Sequence, residues 1–407
     1  MVKIYLARQP IIDRTGKIFA YELLFRSGFK DFAEVEDSKR ATAKVIESLV
    51  SSFSLKDIIR DKLGFINIDH TSDMLSIVEL LPHDKIGFEI LESSVLSEDF
   101  FNTLSYLKSM GYKLSLDDFI YADRFIPYLE LVDYVKIDVL EHSPEQVEEF
   151  LEKIKPYDVK LIAEKVETYE IYKTYYDMGF DYFQGFFFQE PRVIASKTVE
   201  PTYTALVKLY NLVAEERDVR EIESVFRKFS DLSVKLLQLI NSAYYALRQP
   251  VKSIRHAVLM LGYKNILRWI LLLMYSVRSE EFTSDPLFEE ASLRGFYMES
   301  VAKYIFSKGE IVEKSFITGV LSLVDVLLGV PMEKVVSSLS LEEDIKVALL
   351  RREGTLGDIL RMVELVQTGK LSKIEPLLEK YSSKHLTVEK LLQLQMEALK
   401  AYSRLEI

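Results

Sequence analysis

The sequence predicts an α/β domain followed by an all-α domain, with the first built as a (β/α) barrel. Three observations carry this. About eight short β-rich runs alternate with helical patterns through the first ~190 residues. Polar side chains recur at the end of nearly every run. From about residue 201 the β alternation stops and helical periodicity continues to the end. The boundary falls in the connector EPRVIASKTVEPT (190–202), which divides the chain into 1–195 and 196–407.

The chain opens with an apolar strand at 4–12 and a turn signal, DRTGK (13–17), and returns at 18–25, the pattern of a hairpin. A regular barrel of this class is parallel throughout, so an antiparallel first strand is a departure. Helical periodicity follows at 41–53, then strand GFINID (64–69), a helix around 72–81, strand KIGFEIL (85–91), and a helix at 98–110 closed by Gly111. KLSLDDF, YVKIDVL, VKLIAEK and DYFQGFFF continue as strands, with helices at 144–155 and 168–178 between them. Beyond the connector, helices are expected at 204–215, 219–229, 232–246, 253–277, 293–306, 317–328, 341–352, 356–367 and 387–405.

Length and composition narrow the function classes. The 407 residues are 48% apolar and 28% charged, which fits two or three globular domains with full cores. A net charge of -11 argues against direct DNA binding, which favours a basic excess. The absence of cysteine excludes disulfides and thiolate zinc sites and points to a reducing, cytoplasmic setting. The greasiest run, ILRWILLLM (266–274), is interrupted by Arg268 and is about half of what a spanning helix needs, so no membrane segment is expected.

Barrel enzymes of this class carry their active residues at the C-terminal ends of strands. Those ends hold Glu22, Asn67, Glu89, the adjacent Asp117 and Asp118, Lys136, Glu164 and Gln184. Each also has a bland reading. A single strand-end Glu is usually solvated or caps a helix, Asn67 suits a turn, and Asp117–Asp118 suit the cap of the following helix. Lys136 can reach solvent, and Gln184 can hydrogen-bond at its strand end. Agreement between strand ends is what favours a shared site. Two carboxylates ~4 Å apart at an effective dielectric near 20 repel by about 4 kcal/mol. Such acids at one mouth therefore imply hard divalent cations, Mg²⁺ or Mn²⁺, since the donors are oxygen-rich and lack sulfur and histidine.

On these residues the first 195 positions resemble the EAL-domain family of cyclic di-GMP phosphodiesterases. RQPIID (8–13) and YELLFR (21–26) match its opening strand pair, with Glu22-Leu23-Leu24 in place of Glu-Ala-Leu. FINID, FEILES, SLDDF, VKID, LIAEKVET and FQGFFFQEP then follow in the family's order. The resemblance implies a two-metal site with Glu22, Asn67, Glu89, Asp117 and Asp118 as ligands. Glu164 would complete the metal and water environment, Lys136 would position or activate the attacking water, and Gln184 would support it. Arg26 would contact a substrate phosphate, Glu167 matches a further acid, and Glu92 would anchor the loop after Asp118. Cyclic di-GMP is the implied substrate and pGpG the implied product.

Two departures bear on whether the barrel cuts what it binds: Leu23 stands in place of the alanine of Glu-Ala-Leu, and the loop after Phe119 is rewritten. The family's glycine-rich loop after Asp-Asp-Phe is replaced by Ile120-Tyr121-Ala122-Asp123-Arg124, and the interval to Lys136 is about two residues shorter. That loop couples metal binding to dimerisation in the family, so a homodimer and a catalytically inactive receptor or scaffold both remain open.

The second half resembles the HDOD domain, a relative of the HD metal hydrolases without their catalytic metal. Asn241-Ser242-Ala243-Tyr244, Ser253-Ile254-Arg255-His256-Ala257 and Leu261-Gly262 carry the match. Gly319-Val320-Leu321-Ser322-Leu323 stands where the hydrolases place their His-Asp pair. The five histidines are scattered, and His256 reads as an interhelical hydrogen bonder. An HD-like, non-catalytic helical module that engages a protein partner is expected.

Overall fold

The computed structural model describes residues 5–26, 55–68, 78, 81–91, 97–190, 201–241, 250–276 and 284–405. The helix expected at 41–53, and all of that at 72–81 except residues 78 and 81, lie outside them. The chain divides into two compact units, Met1–Glu190 and Pro191–Ile407.

The first unit is a closed eight-stranded barrel in sequential order. Its strands are β1 (Tyr5–Asp13), β2 (Ile18–Arg26), β3 (Leu63–Ile68), β4 (Ile86–Ile90), β5 (Lys113–Leu116), β6 (Tyr134–Asp138), β7 (Lys160–Glu164) and β8 (Tyr182–Gln184). β1 runs antiparallel to both β2 and β8, while the other pairs are parallel. The reversal is local chemistry. Asp13 Oδ1 accepts from the backbone N of Thr15 at 2.8 Å and of Lys17 at 3.0 Å, an Asx-type turn that returns the chain as β2.

The helices between strands are capped as their sequences suggest. Ser97 caps α1 (Glu98–Ser109), Ser143 and Gln146 form a reciprocal capping box on α2 (Pro144–Ile154), and Thr168 caps α3 (Tyr169–Met178), which Gly179 closes. A short helix at Leu55–Ile59 was not expected.

Strand alternation builds the interior in layers. Ile11, Ala20, Phe65, Tyr134 and Ile162 form an apolar layer that closes the barrel. Two residues further toward the C-terminal mouth, the same faces carry Glu22, Asn67, Lys136 and Glu164. β8, with Tyr182 beside that layer, brings Gln184 to the same level. Because β1 runs the other way, it contributes Gln9, paired in register with Glu22. The polar ring is thus a consequence of a two-residue period laid over one hydrophobic plug.

The second unit is helical. Helices Pro201–Ala214, Val219–Lys228, Glu343–Arg351, Gly354–Gln367 and Val388–Ser403 match the sequence pattern within a few residues, and Ser230–Ile240 covers the start of the helix expected at 232–246, of which 242–246 lie outside the described residues. Pro286–Phe306 starts earlier than expected, at a Pro that suits a first turn behind the capping Asp285. The single helix expected at 317–328 is instead two, Glu310–Leu321 and Val324–Leu328. Helices Met332–Ser338 and Glu375–Lys380 were not anticipated. Glu310–Leu321 packs on Pro286–Phe306 so tightly that a Cβ on Gly319 would lie 2.7 Å from Gly295 Cα.

Ile254–Ser276 is the one helix among the described residues long and apolar enough to cross a membrane. It is broken at Gly262 (φ 75°, ψ 163°), and the run from Trp269 to Ser276 is buried within the unit. Arg268, the charge inside this run, is satisfied locally. Its guanidinium makes two bonds to Glu299, at 3.0 and 2.8 Å, and lies 3.8 Å from the Phe316 ring centre.

Candidate active site

Lys136 sits mid-strand on β6 and is completely buried. Its Nζ lies 2.7 Å from Glu164 Oε1, 2.9 Å from Asp117 Oδ1, and 3.1 Å from both Glu22 Oε2 and Glu89 Oε1. The alternative that this lysine reaches solvent is excluded. Four strands and the exit of β5 therefore deliver their charges to one point at the C-terminal mouth.

Gln184 belongs to the same network. Its Nε2 donates to Glu22 Oε2 at 2.6 Å and to Gln9 Oε1 at 3.1 Å, fixing the Glu22 carboxylate between an amide and an ammonium. The exit of β8 is set by Gly185 (φ 149°), where a Cβ would lie 2.1 Å from the Val166 carbonyl oxygen. That closeness lets Val166 N bond Gln184 O at 2.9 Å, so the turn after Glu164 and the end of β8 hold each other.

Asp117 and Asp118 diverge. Asp117 N continues the ladder to Ile90 O at 2.9 Å, which directs its side chain inward. Asp118 takes a left-handed backbone (φ 42°), and Phe119 N then bonds Lys136 O at 2.9 Å. The Asp118 carboxylate lies 3.9 Å from Lys165 Nζ and is half-exposed. Neither aspartate caps the next helical turn, Asp123–Phe125, which has no side-chain cap.

One ammonium cannot balance this set. With all four carboxylates ionised, one positive and four negative charges leave three negative charges in a buried space. Burial, reinforced by Glu22, Asp117 and Glu164, pushes the Glu89 carboxyl well above its ordinary range despite Lys136. Burial likewise raises Glu164, to about 8, against the pull of Lys136. Lys136 moves the other way from what burial alone dictates, because the carboxylates hold its proton.

Among the described residues no three acidic or histidine side chains stand arranged around a metal position, since the carboxylates face Lys136 instead. The donor set nonetheless suits a hard cation. Asn67 Oδ1, both Glu89 oxygens and Asp117 Oδ1 are buried without a hydrogen bond, although Glu89 Oε1 and Asp117 Oδ1 lie at ion-pair distance from Lys136. All are oxygens.

Other expected residues are less central. Arg26 ends β2, four residues beyond Glu22, but its side chain lies outside the described residues, as does Glu92. Glu167 is exposed. Sequence reasoning missed Gln9, Asp138 and Lys165. Asp138 lies two residues beyond Lys136, is buried, accepts from Leu140 N at 2.8 Å, and pairs with Lys165 Nζ. The same two-residue spacing that marked the ring was available to find it.

In the helical unit, Asn241 bonds Val251 in both directions, with Nδ2 donating to O at 2.9 Å and Oδ1 accepting from N at 2.7 Å. Among the described residues His256 makes local bonds rather than interhelical ones. Its Nδ1 accepts from Lys252 N, and its own N donates to Ser253 Oγ.

A barrel with one reversed strand and an acidic ring about a buried lysine defines an EAL-type domain, here followed by a helical unit. The family comparisons agree, with an EAL domain matching residues 3–191 and an HDOD domain matching residues 198–342. Cyclic di-GMP phosphodiesterase CdgJ of Vibrio cholerae is 31% identical, over 92% of this chain and 87% of its own length. The uncharacterized protein YuxH of Bacillus subtilis is 27% identical, over 90% of this chain and 91% of its own. The crystal structure of the EAL domain of Mycobacterium smegmatis DcpA aligns over 45% of this chain and 91% of its own at 24% identity, with a TM-score of 0.37. The chain belongs to the family of proteins that join an EAL domain to an HDOD domain.

Proposed function

We propose that the barrel binds cyclic di-GMP and hydrolyses one of its phosphodiester bonds, giving linear pGpG. The observation that carries this reading is the convergence of Glu22, Glu89, Asp117 and Glu164 on the buried Lys136. The likeness to CdgJ over nearly the whole chain supports the choice of substrate.

Glu22, Asn67, Glu89, Asp117 and Asp118 would supply the oxygen donors for two divalent ions. When bound, Mg²⁺ or Mn²⁺ supplies positive charge opposite the phosphodiester and acidifies water. Lys136, an ammonium held charged by its neighbours, donates hydrogen bonds and so orients the attacking water. Glu164, the carboxylate nearest Lys136, takes the proton that water releases. The water oxygen bonds to phosphorus, the P–O3′ bond breaks, and the departing O3′ takes a proton from solvent water, while Glu164 returns the proton it accepted to solvent. Gln184 keeps Glu22 in place through its amide, and Arg26 holds a non-bridging phosphate oxygen.

A second reading is a barrel that binds the dinucleotide without cutting it. The observation favouring it is the rewritten loop after Phe119, which has no glycine and leaves Ile120 43% exposed. In either reading the helical domain is a non-catalytic module that passes the state of the barrel to a protein partner in the cytoplasm.

Purified protein incubated with cyclic di-GMP and Mg²⁺ or Mn²⁺ separates the readings. Hydrolysis gives pGpG that is lost in Glu22→Gln. Binding without product marks a receptor, and neither binding nor product rules out both.

A further inference from the structure

We propose that Lys165 is a resident counter-cation of the metal site, competing with the second of two divalent ions for Asp118. The proposal rests on the metal-site reading above and concerns what tunes it. Lys165 directly follows Glu164, and its backbone is left-handed (φ 56°). Asp118 directly follows Asp117 and is left-handed as well (φ 42°). Non-glycine residues adopt that conformation at a cost, and such positions gather at functional sites. Here the two turns aim a cation and an anion at each other across the mouth of the barrel.

The ammonium is anchored from below. Asp138, only 2% exposed, spends one oxygen on the backbone N of Leu140 at 2.8 Å and of Glu141 at 3.3 Å. Its other oxygen pairs with Lys165 Nζ. The anchor holds Nζ 3.9 Å from Asp118 Oδ1, too far for a hydrogen bond but close enough to offset its charge. Lys165 is therefore not a second Lys136. It stands beside the ring, half exposed, next to Asp118, the one proposed carboxylate ligand that the ring's own lysine does not touch.

Two inequivalent metal positions follow. Glu22, Asn67, Glu89 and Asp117 form a buried position, whereas Asp118 belongs to a rim position already opposed by a positive charge. Removing a unit charge near a divalent ion at a partly exposed rim changes its affinity about tenfold.

Mn²⁺ titration of the full-length protein, followed by calorimetry and by the loss of free-ion electron paramagnetic resonance, tests this without reference to turnover. The wild type is expected to bind one Mn²⁺ tightly and a second weakly. Lys165→Met is expected to tighten the second about tenfold and leave the first unchanged, while Lys165→Arg keeps the wild-type pattern. The double variant Lys165→Met/Asp138→Asn guards against a freed Asp138 acting as a new ligand. Tightening that persists there supports the charge argument, and tightening that vanishes overturns it. Identical isotherms for wild type and Lys165→Met overturn the role of Lys165 and leave the metal site standing. No Mn²⁺ bound to any of these proteins overturns both.

Discussion

Replacing Lys136 with methionine keeps much of the side-chain volume and deletes the positive charge that touches all four carboxylates. Each of those carboxylates lies between 2.7 and 3.1 Å from Nζ, and the lysine has no exposure to water through which solvent could compensate. Removing one partner of a buried ionic cluster costs about 3–5 kcal/mol, because the remaining charges stay desolvated and unpaired. Proton uptake by Glu89 and Glu164, whose carboxyls burial already raises, limits the loss toward the lower end. For a unit of about 190 residues such a loss lowers the unfolding midpoint by roughly 6–20 °C. Scanning calorimetry of the full-length protein in EDTA reads this directly. Saturating Mn²⁺ should narrow the gap, since a bound divalent ion restores the missing charge and stabilises by mass action. A Lys136→Met midpoint in EDTA equal to the wild type would refute the reasoning, because the acids could not then be gathered and charged around that nitrogen.

Three further outcomes follow, two from the barrel and one from the helical unit. Lys136→Ala should abolish pGpG formation while leaving cyclic di-GMP affinity nearly intact by equilibrium binding; a large loss of binding would make the lysine a phosphate contact instead. Gly185→Ala places a Cβ against the Val166 backbone and should cost about 1–3 kcal/mol or more in denaturant unfolding, with pGpG production falling as Gln184 and Glu164 shift. Burial would raise Glu299, but bonds from Arg268 and Lys303 outweigh it and hold its carboxyl below the ordinary 4.5. A lowered native value means that stability is present above 4.5 and lost as pH falls from there through that value. Acid titration of unfolding should therefore show a loss below pH 4.5 that is smaller in Glu299→Gln.

Much of the site was legible because a barrel strand reports with period two. Glu22, Asn67, Glu89, Lys136 and Gln184 each lie on an inward face one step above the apolar plug, so strand ends alone located them. Asp138 and Lys165 escaped for different reasons. Asp138 shares the ring's two-residue spacing, but its burial depends on the turn its own carboxylate holds. Lys165 acquires meaning only through a left-handed backbone that no residue preference announces. Adjacent in sequence, Asp117 and Asp118 diverge in space because the φ of 42° at Asp118 turns its side chain to the rim, which no residue preference announces. In the helical half, periodicity ran on through 317–328 where the chain breaks at Leu323, since apolar residues on both sides mask the corner.

Crystals of the full-length protein soaked in MnCl₂ and measured at the manganese absorption edge test the central claim most directly. Anomalous density bounded by Glu22, Asn67, Glu89 and Asp117, with their oxygens turned from Lys136 toward it, is the expected result. Density only elsewhere, with the four carboxylates still 2.7–3.1 Å from Lys136 Nζ, would contradict it.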